Sequence, residues 1–319
     1  MKITLPNLLL LGGISATLVG CANVDPPVRA SPVIPDLSAR DRVVQEQIFL
    51  DSVNFGPGVI DGRNGDFTEK ARNVYRRVMG RDPDSSSITP YTSYTVTSTD
   101  LRRIGSAASG PVAMAAQNRL PYTSVTELVA ERYHTTQDFV RRINPGIDVD
   151  SASVGTTLRV PNVAKPFRVE KFPSAYPPAA PARAANRIVT VDTSERLLRV
   201  IENDKLLAVF PITPGSSAHP APTGEWKVLG LKPWPWFRWD DGVLKRGERT
   251  ENAYLIPPGV NNPVGILWAG LNRPGIGIHG TPSPETIGRS GSHGCIRLAN
   301  WDAATFYTLV PVGTPVSIR

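Results

Sequence analysis

Proline is unusually frequent in this chain. It accounts for 31 of the 319 residues, about twice the share of ~5% that is typical of soluble proteins. A proline in the interior of a helix removes a backbone hydrogen bond and clashes with the preceding turn, so this frequency disfavours long helices. It favours extended linkers and short β-strands separated by turns.

The basic residues are not concentrated in any segment. The formal net charge is +7, and it divides into +4 before residue 187 and +3 from residue 187 onwards. Nucleic-acid binding needs a basic patch or stripe. The even distribution therefore argues against a nucleic acid as partner.

The first twenty residues predict an export signal. Lys2 precedes an apolar stretch over residues 8–19, which is shorter than the about 20 residues that cross a membrane. The stretch ends in Leu-Val-Gly-Cys at Cys21 and resembles the bacterial lipobox; a buried helix ending beside a chance cysteine is the alternative. The resemblance implies a signal peptide over 1–20, lipidation of Cys21 and a lipid anchor. Ala22 after it implies the outer rather than the inner membrane, with the protein facing the periplasm of a bacterial envelope.

Residues 22–82 predict a tether followed by a small helical module. Residues 22–39 are rich in Pro, Ala, Ser and Val and favour an extended linker. Apolar residues at helical spacing then predict helices over 42–55 and 67–79, separated by Gly-Pro-Gly and Asp-Gly turns. The arrangement over 40–82 resembles a three-helix peptidoglycan-binding module; a generic helical hairpin is the alternative.

The next part of the chain predicts a mixed α+β module between two irregular segments. Residues 83–120 show no period and are expected to connect the modules, whereas 121–163 predict two short helices, an Asn-Pro turn and a closing strand. This pattern resembles the second half of a LysM module, a binder of glycans that contain N-acetylglucosamine. The usual opening strand is missing, and Ser124-Val125-Thr126 stands in its place, so a spacer role is equally open. Residues 164–186 are rich in Pro and Ala and predict a second linker.

From residue 187 the chain predicts a mainly-β domain. Short alternating segments cover 188–191, 197–201 and 206–212, and Asn203-Asp204 is placed as a hairpin turn between the last two. All six tryptophans lie in this part. Its length of about 130 residues is enough to bury a core of its own.

Two short segments near the C-terminus carry the side chains for nucleophilic catalysis. His279-Gly280 ends an apolar strand, and a Ser-His-Gly-Cys-Ile-Arg-Leu run follows at residues 292–298. If Cys21 is lipidated, Cys295 is the one remaining thiol and has no disulfide partner within the chain. A thiol of ordinary pKa, about 8.5, is mostly protonated at neutral pH and needs a base. His279, on a separate strand, is assigned as that base because the short backbone between His293 and Cys295 fixes those two side chains relative to each other.

The neighbouring residues can complete such a site. The glycines at 291 and 294 allow backbone geometries that other residues avoid, which lets the amides of Gly294 and Cys295 face a developing oxyanion. Arg297, two residues after the cysteine, can hold a substrate carboxylate. Ser292 and Trp268 are assigned as further substrate-binding residues.

This constellation resembles the L,D-transpeptidase catalytic domain of the YkuD type over residues 187–319. The Pro-Thr-Gly-Glu-Trp run from Pro222 and the Asn-Arg-Pro-Gly-Ile-Gly-Ile run before His279 also match. The resemblance implies that Cys295 is the nucleophile and His279 the base, and that the Gly280 carbonyl orients the imidazole. His293, Gly294 and Arg297 would complete the pocket, although some family members have Asn in place of Arg297. No cofactor and no metal are implied.

These residues also allow other interpretations. An inert packed cysteine is one, and a zinc site built from His279, His293, Cys295 and His219 is another, although the spacing of zinc motifs is absent. His219 itself is interpreted as a loop residue. The aromatic segment Trp234–Trp239 predicts either an outward surface, as a flap over the donor peptide or a stacking surface for sugar, or rings folded onto the domain's own core. Asn300 is predicted to be the N-cap of a helix over 301–309.

The predicted architecture is therefore multidomain, and the predicted activity is transpeptidation of peptidoglycan. The family resemblance implies that a cysteine thioester carries a stem tetrapeptide after loss of its terminal D-Ala. A stem amine as acceptor gives a 3→3 cross-link, a lipoprotein lysine tethers that protein to the wall, and water gives an L,D-carboxypeptidase. A non-catalytic wall-binding lipoprotein is the alternative from another class. A papain-like amidase is disfavoured because in such enzymes the cysteine precedes the histidine.

Overall fold

The structure is a computed structural model that describes residues 37–180, 186–242, 248–289, 291 and 294–319. The predicted signal peptide, Cys21 and nearly all of the first linker lie outside these residues, as do Ser292 and His293. Residues 37–319 form one compact unit. In the described part of the chain, no helix has the length and apolarity that crossing a membrane requires.

Two helices open the described chain, close to where the sequence predicts them. They are α1 (Ala39–Ser52) and α2 (Asp66–Met79). The Ser38 hydroxyl caps α1 by accepting from the Asp41 amide, and Gly80 ends α2 in the left-handed conformation. Phe55, after α1, forms a bridge with Val209 at the edge of the C-terminal sheet. The helical pair therefore covers a sheet edge.

A unit of two paired strands with four helices between them follows, and its opening strand corrects the sequence prediction. Strand β1 (Tyr91–Thr95) pairs antiparallel with β2 (Thr157–Pro161). Between them lie α3 (Ser98–Leu101), α4 (Gly110–Ala115), α5 (Val125–Arg132) and α6 (Gln137–Ile143). An opening strand, which the sequence pattern predicts to be missing, is thus present about thirty residues upstream of residues 124–126, and Ser124 caps α5. Residues 83–120 are not a plain connection, because β1, α3 and α4 lie in them.

The predicted second linker is also corrected where the structure describes it. Phe167, Val169 and Phe172 are buried in the main core, and a short 3-10 helix spans Val169–Lys171. The carbonyl of Phe172 accepts a hydrogen bond from the Trp234 indole at 3.0 Å. Residues 164–180 pack against the rest of the chain because three apolar side chains among the prolines find partners there.

The C-terminal part is mainly β, as predicted. Nine of its strands form one sheet in the order β5-β4-β3-β13-β7-β10-β11-β12-β6, and β8 pairs with β9 in a separate ribbon. The strands are β3 (Arg187–Asp192), β4 (Leu197–Glu202), β5 (Lys205–Pro211), β6 (Thr213–Pro214), β7 (Gly224–Pro233), β8 (Phe237–Asp240), β9 (Ala253–Ile256), β10 (Leu267–Leu271), β11 (Gly277–His279), β12 (Ile296–Arg297) and β13 (Pro315–Ile318).

Local sequence explains two of these connections. Asn203 and Asp204 have φ values of +48° and +62°, which is the geometry of the two-residue hairpin predicted between β4 and β5. Strands β11 and β12 run parallel and therefore require a long return connection rather than a hairpin. That connection contains a 3-10 helix at Pro284–Thr286.

One core joins the two halves of the described chain. Buried side chains from α5 and α6, from the 163–172 segment and from one face of the large sheet belong to a single apolar cluster. On the opposite face, Leu197 and Val209 pack with α1 and α2 in a second, smaller cluster. Helix α7 (Asn300–Leu309) packs on β10 and contacts α5. Helix α5 therefore reaches the start of α7, immediately beside the strands that carry His279 and Cys295.

Candidate active site

Strands β11 and β12 place the predicted nucleophile and base on adjacent strands. The parallel register pairs Ile278 with Ile296 and His279 with Arg297. Side chains alternate between the two faces of a sheet, so His279 and Arg297 share a face. Cys295 immediately precedes β12 and shares that face if the alternation extends back by one residue. The prediction that His279 approaches the cysteine from a separate strand agrees with this arrangement.

His279 is held as a neutral imidazole. Its ring is buried, and Nδ1 lies 2.7 Å from the carbonyl oxygen of Gly280. Because a carbonyl can only accept, Nδ1 carries the proton and Nε2 is left as the basic nitrogen. The pKa of His279 is lowered to about 4, chiefly by burial; the Gly280 hydrogen bond opposes this shift, and the Arg297 charge adds to it. The predicted role of the Gly280 carbonyl matches this geometry.

Cys295 is half-buried, and its thiol lies 3.4 Å from the carbonyl oxygen of Gly275, which accepts from it. Burial raises the pKa of the Cys295 thiol, whereas a hydrogen bond from the Gly277 backbone and the Arg297 charge lower it. The resting pair is consequently a thiol beside a neutral imidazole. This favours general-base removal of the proton during attack over a preformed thiolate.

Arg297 contributes positive charge beside both reacting groups. Its side chain is half-buried, and Nη1 donates to the carbonyl of Gly291 at 3.1 Å. The Nε atom is buried and has no hydrogen-bond partner among the described residues. A guanidinium with donors to spare is suited to the substrate carboxylate that the sequence assigns to it.

The two glycines beside the cysteine are needed for different reasons. Gly294 has φ +88°, a backbone region that favours glycine. At Gly291 the constraint is space, because a β-carbon there would lie 2.2 Å from Cβ of Ser216. The loop that contains Ser216 and the exposed His219 thus passes directly over this turn.

Trp268 packs on the base rather than on open space. It pairs with His279 across β10 and β11, and the two rings stack at 5.6 Å with an interplanar angle of 20°. The side chain is half-buried. Its contact with the imidazole gives it a role in fixing that ring, whereas the substrate contact assigned to it stays a prediction.

The aromatic segment Trp234–Trp239 divides between its two predicted roles. Trp234 is folded onto the core, where it packs edge-on against Phe172 at 5.8 Å. Trp236 is 55% exposed. The flap interpretation is therefore wrong for Trp234 and stays a prediction for Trp236.

The prediction for Asn300 is wrong, and the structure gives this residue a different role. Ala299 occupies the N-cap position of α7, and Asn300 is the first helical residue. The Asn300 side chain is fully buried, accepts from the Ile266 amide at 3.2 Å and donates to Glu131 at 2.7 Å. No sequence signal links Asn300 to Glu131, since 169 residues separate them.

Ser292, His293 and the lipidation site Cys21 lie outside the described residues. Within the described part of the chain, no three His, Cys, Asp or Glu side chains come together as a metal site. The zinc interpretation also involved His293, which is not described.

Comparison with known proteins identifies the C-terminal domain. The family model of the YkuD L,D-transpeptidase catalytic domain matches residues 186–318. The chain is 29% identical over 192 residues to the "Putative L,D-transpeptidase YkuD" of Bacillus licheniformis, covering 60% of this chain and 92% of the relative. It is 32% identical over 136 residues to the "Putative L,D-transpeptidase YqjB" of Bacillus subtilis, covering 41% of this chain and 69% of the relative.

Among solved structures, an L,D-transpeptidase from Mycobacterium smegmatis matches with a TM-score of 0.35 and 23% identity, over 42% of this chain and 58% of that chain. The family model and the two sequence relatives agree on an L,D-transpeptidase. The chain belongs to the L,D-transpeptidase family that carries the YkuD catalytic domain.

Proposed function

We propose that Cys295 and His279 carry out transpeptidation between peptidoglycan stem peptides and form 3→3 cross-links. The observation that carries the proposal is the neutral His279 ring, whose Nδ1 proton is held by Gly280, on the strand beside Cys295. A buried imidazole that stays neutral at pH 7 has its second nitrogen available as a base throughout the physiological range.

The first half of the proposed reaction transfers an acyl group to sulfur. His279 Nε2 takes the thiol proton while Cys295 Sγ forms a bond to the carbonyl carbon of the third residue of the stem. The amide bond to the terminal D-Ala breaks, and its amine leaves with the proton returned by His279. The Gly294 and Cys295 amides serve as donors to the oxyanion. Ser292, Arg297 and Trp268 contact the donor stem.

The second half returns the cysteine to its resting state. The side-chain amine of another stem attacks the thioester, gives its proton to His279 and forms the cross-link, after which the thiolate regains that proton. No external energy source is needed because the thioester conserves the energy of the amide bond. Water in place of the amine would give carboxypeptidase products, and a lipoprotein lysine would tether that protein to the wall.

Incubation of the purified protein with a tetrapeptide muropeptide tests this proposal. We expect 3→3 cross-linked dimers and released D-Ala with the wild type and neither with Cys295→Ala, which should also form no adduct with a carbapenem. Tripeptides alone would identify trimming rather than cross-linking. An adduct that persists in Cys295→Ala would refute the role of this sulfur.

We also propose that the N-terminal half holds the enzyme at the wall and the membrane. The two-helix segment resembles a peptidoglycan-binding module, and the unit bounded by β1 and β2 resembles LysM. Both resemblances support contact with peptidoglycan. The lipobox resemblance at Cys21 supports an anchor in the outer membrane. Cell fractionation of wild type and Cys21→Ala tests the anchor, because loss of the lipid should move the protein from the membrane to the soluble periplasmic fraction.

A non-catalytic wall-binding role is the competing proposal. It requires that wild type leave muropeptide profiles unchanged while the protein still sediments with isolated sacculi. Binding that is the same for wild type and Cys295→Ala, together with wild-type cross-linking, would show that attachment and catalysis are separate properties of one chain.

A further inference from the structure

A series of buried side chains connects helix α5 to the Gly280 carbonyl, which orients the proposed base. Glu131, on α5, is buried, and its Oε1 accepts from Asn300 Nδ2 at 2.7 Å. Its second oxygen, Oε2, accepts a hydrogen bond from the hydroxyl of Tyr122. Both carboxylate oxygens of Glu131 are therefore committed to fixed donors, which leaves the side chain one orientation.

Asn300 is fixed at both ends of its amide. Its nitrogen donates to Glu131, and its Oδ1 accepts from the backbone amide of Ile266 at 3.2 Å. The side chain is 0% exposed, so water cannot replace either partner. A buried amide that lost one of these bonds would leave an unsatisfied polar group.

The oxygen of Asn300 lies directly against the backbone of Gly280. A β-carbon built on Gly280 would come 2.2 Å from Asn300 Oδ1, and one built on Gly265 would come equally close. Two strand-end glycines therefore leave the space that the Asn300 amide fills. The same Gly280 presents its carbonyl to His279 Nδ1 at 2.7 Å.

We propose that Asn300 and Glu131 are positioning residues for the catalytic base: Glu131 fixes the Asn300 amide, and that amide fixes the Gly280 peptide whose carbonyl orients His279. This inference rests on the proposed role of His279. It assigns to the N-terminal half of the chain a part in the chemistry that is distinct from binding peptidoglycan.

The connection acts on geometry. His279 functions as base only while Nδ1 is the protonated nitrogen and Nε2 faces Cys295, and both conditions depend on where the Gly280 carbonyl points. A misplacement of about 1 Å in a reacting group can cost about a hundredfold in rate. We therefore expect that loss of the Glu131–Asn300 hydrogen bond slows attack by Cys295 without removing it.

A graded series at Glu131 in the full chain tests the proposal, with the rate constant for acylation of Cys295 by a carbapenem as readout. Glu131→Gln keeps an oxygen acceptor at the same distance and should stay within about threefold of wild type. Glu131→Asp keeps the carboxyl group but shortens the side chain, and Glu131→Ala removes the acceptor. We expect Glu131→Asp and Glu131→Ala to acylate more slowly than Glu131→Gln. Glu131→Ala and Asn300→Ala should be slower than wild type by about tenfold to a hundredfold.

Glu127→Ala is the matched control. Glu127 lies one turn earlier on α5 and also joins α5 to the C-terminal part, since its Oε1 accepts from Asn261 Nδ2 at 2.7 Å, but no hydrogen bond links it to Asn300. We expect Glu127→Ala to acylate at the wild-type rate. An equal loss in Glu127→Ala and Glu131→Ala would overturn the proposal, because it would indicate general loosening of α5.

A second readout follows the imidazole directly. The His279 Nδ1 proton, buried and bonded to a carbonyl, should give a downfield NMR resonance that exchanges slowly with water, and that resonance should shift or broaden in Asn300→Ala and Glu131→Asp. The resonance in Asn300→Ala and in Glu131→Asp still tests the proposal if Glu131→Ala does not fold. Acylation of Glu131→Asp at the wild-type rate, or faster than that of Glu131→Gln, would contradict the proposal. A wild-type protein that forms no adduct would instead refute the proposed function itself.

Discussion

The strand β11 and the helix α5 each bury a titratable side chain, and they hold it in opposite ways. His279 on β11 is oriented by the carbonyl of the next residue in the chain, whereas Glu131 on α5 is held by the side chains of Tyr122 and Asn300. Burial favours the neutral form of both, so it lowers the pKa of His279 to about 4 and raises the pKa of Glu131 to about 7.

The contrast indicates where chemistry and support reside in this molecule. The pair proposed to react is local, and its geometry is set by the backbone of two adjacent strands. The support for that geometry comes from distant parts of the chain through side chains that a single substitution can remove. Loss of reaction and loss of position should accordingly be separable by experiment.

Removal of the base should have the largest effect. We expect His279→Gln to lower the rate constant for carbapenem acylation by about 10²–10⁴-fold, because the group proposed to accept the thiol proton is then lost. Mass spectrometry of the adduct over time measures it. Alkylation of Cys295 at a pH well above the thiol pKa should be nearly equal in both proteins, since the thiolate then forms without help. Carbapenem acylation of His279→Gln within tenfold of the wild-type rate would show that His279 is not the base.

The contact between the N-terminal helices and the sheet edge should matter for stability alone. Phe55 is buried, packs edge-on against Tyr75 at 5.3 Å and bridges to Val209. Phe55→Ala should lower the free energy of unfolding by about 3–5 kcal/mol, with the acylation rate of the folded protein unchanged. Val53→Ala, at a site 37% exposed, should change it by less than about 0.5 kcal/mol. Slower acylation of folded Phe55→Ala would contradict this expectation and show that the contacts at this sheet edge also support the geometry of the site.

A methyl group at Gly280 should affect both properties at once. The added β-carbon collides with Asn300 Oδ1, so Gly280→Ala should lose about 1–3 kcal/mol of stability and also acylate more slowly. Gly230→Ala is the control, because a β-carbon at Gly230 meets no atom within 4 Å. Denaturant unfolding and the acylation assay measure the two effects. A Gly280→Ala protein that acylates as fast as Gly230→Ala would show that the Gly280 peptide does not position the base.

The smallest expected effect concerns Asp302 on α7, which is buried with its carboxyl beside Asp51. Burial and the Asp51 charge raise the pKa of Asp302 well above its usual value. The native state therefore binds this proton more tightly than the unfolded state, and stability falls as pH rises above the ordinary aspartate pKa. Asp302→Asn should raise the melting temperature by about 2–4 °C at pH 8. The gain should shrink toward pH 4, and a gain that does not vary with pH would contradict this account.

The sequence predicts the reacting residues better than their support. His279, Gly280, Cys295 and the mainly-β domain follow from patterns within short stretches, because strand alternation and glycine placement are local properties. The Glu131–Asn300 contact and the burial of residues 164–180 depend on which distant surfaces meet. The opening strand β1 escaped prediction for the same reason, since its partners in β2 lie 62 to 70 positions further along the chain.

The parallel course of β11 and β12 has a consequence for how this enzyme can vary. Two neighbours that run in the same direction need an intervening path of a dozen or more residues, and here the path from Gly280 to Gly294 supplies it. Insertions into that path leave His279 beside Arg297 on the adjacent strand, whereas a deletion that leaves fewer than about a dozen residues would stop the chain from returning to the start of β12. The segment that precedes the sulfur can therefore lengthen freely during evolution but can shorten by only a few residues.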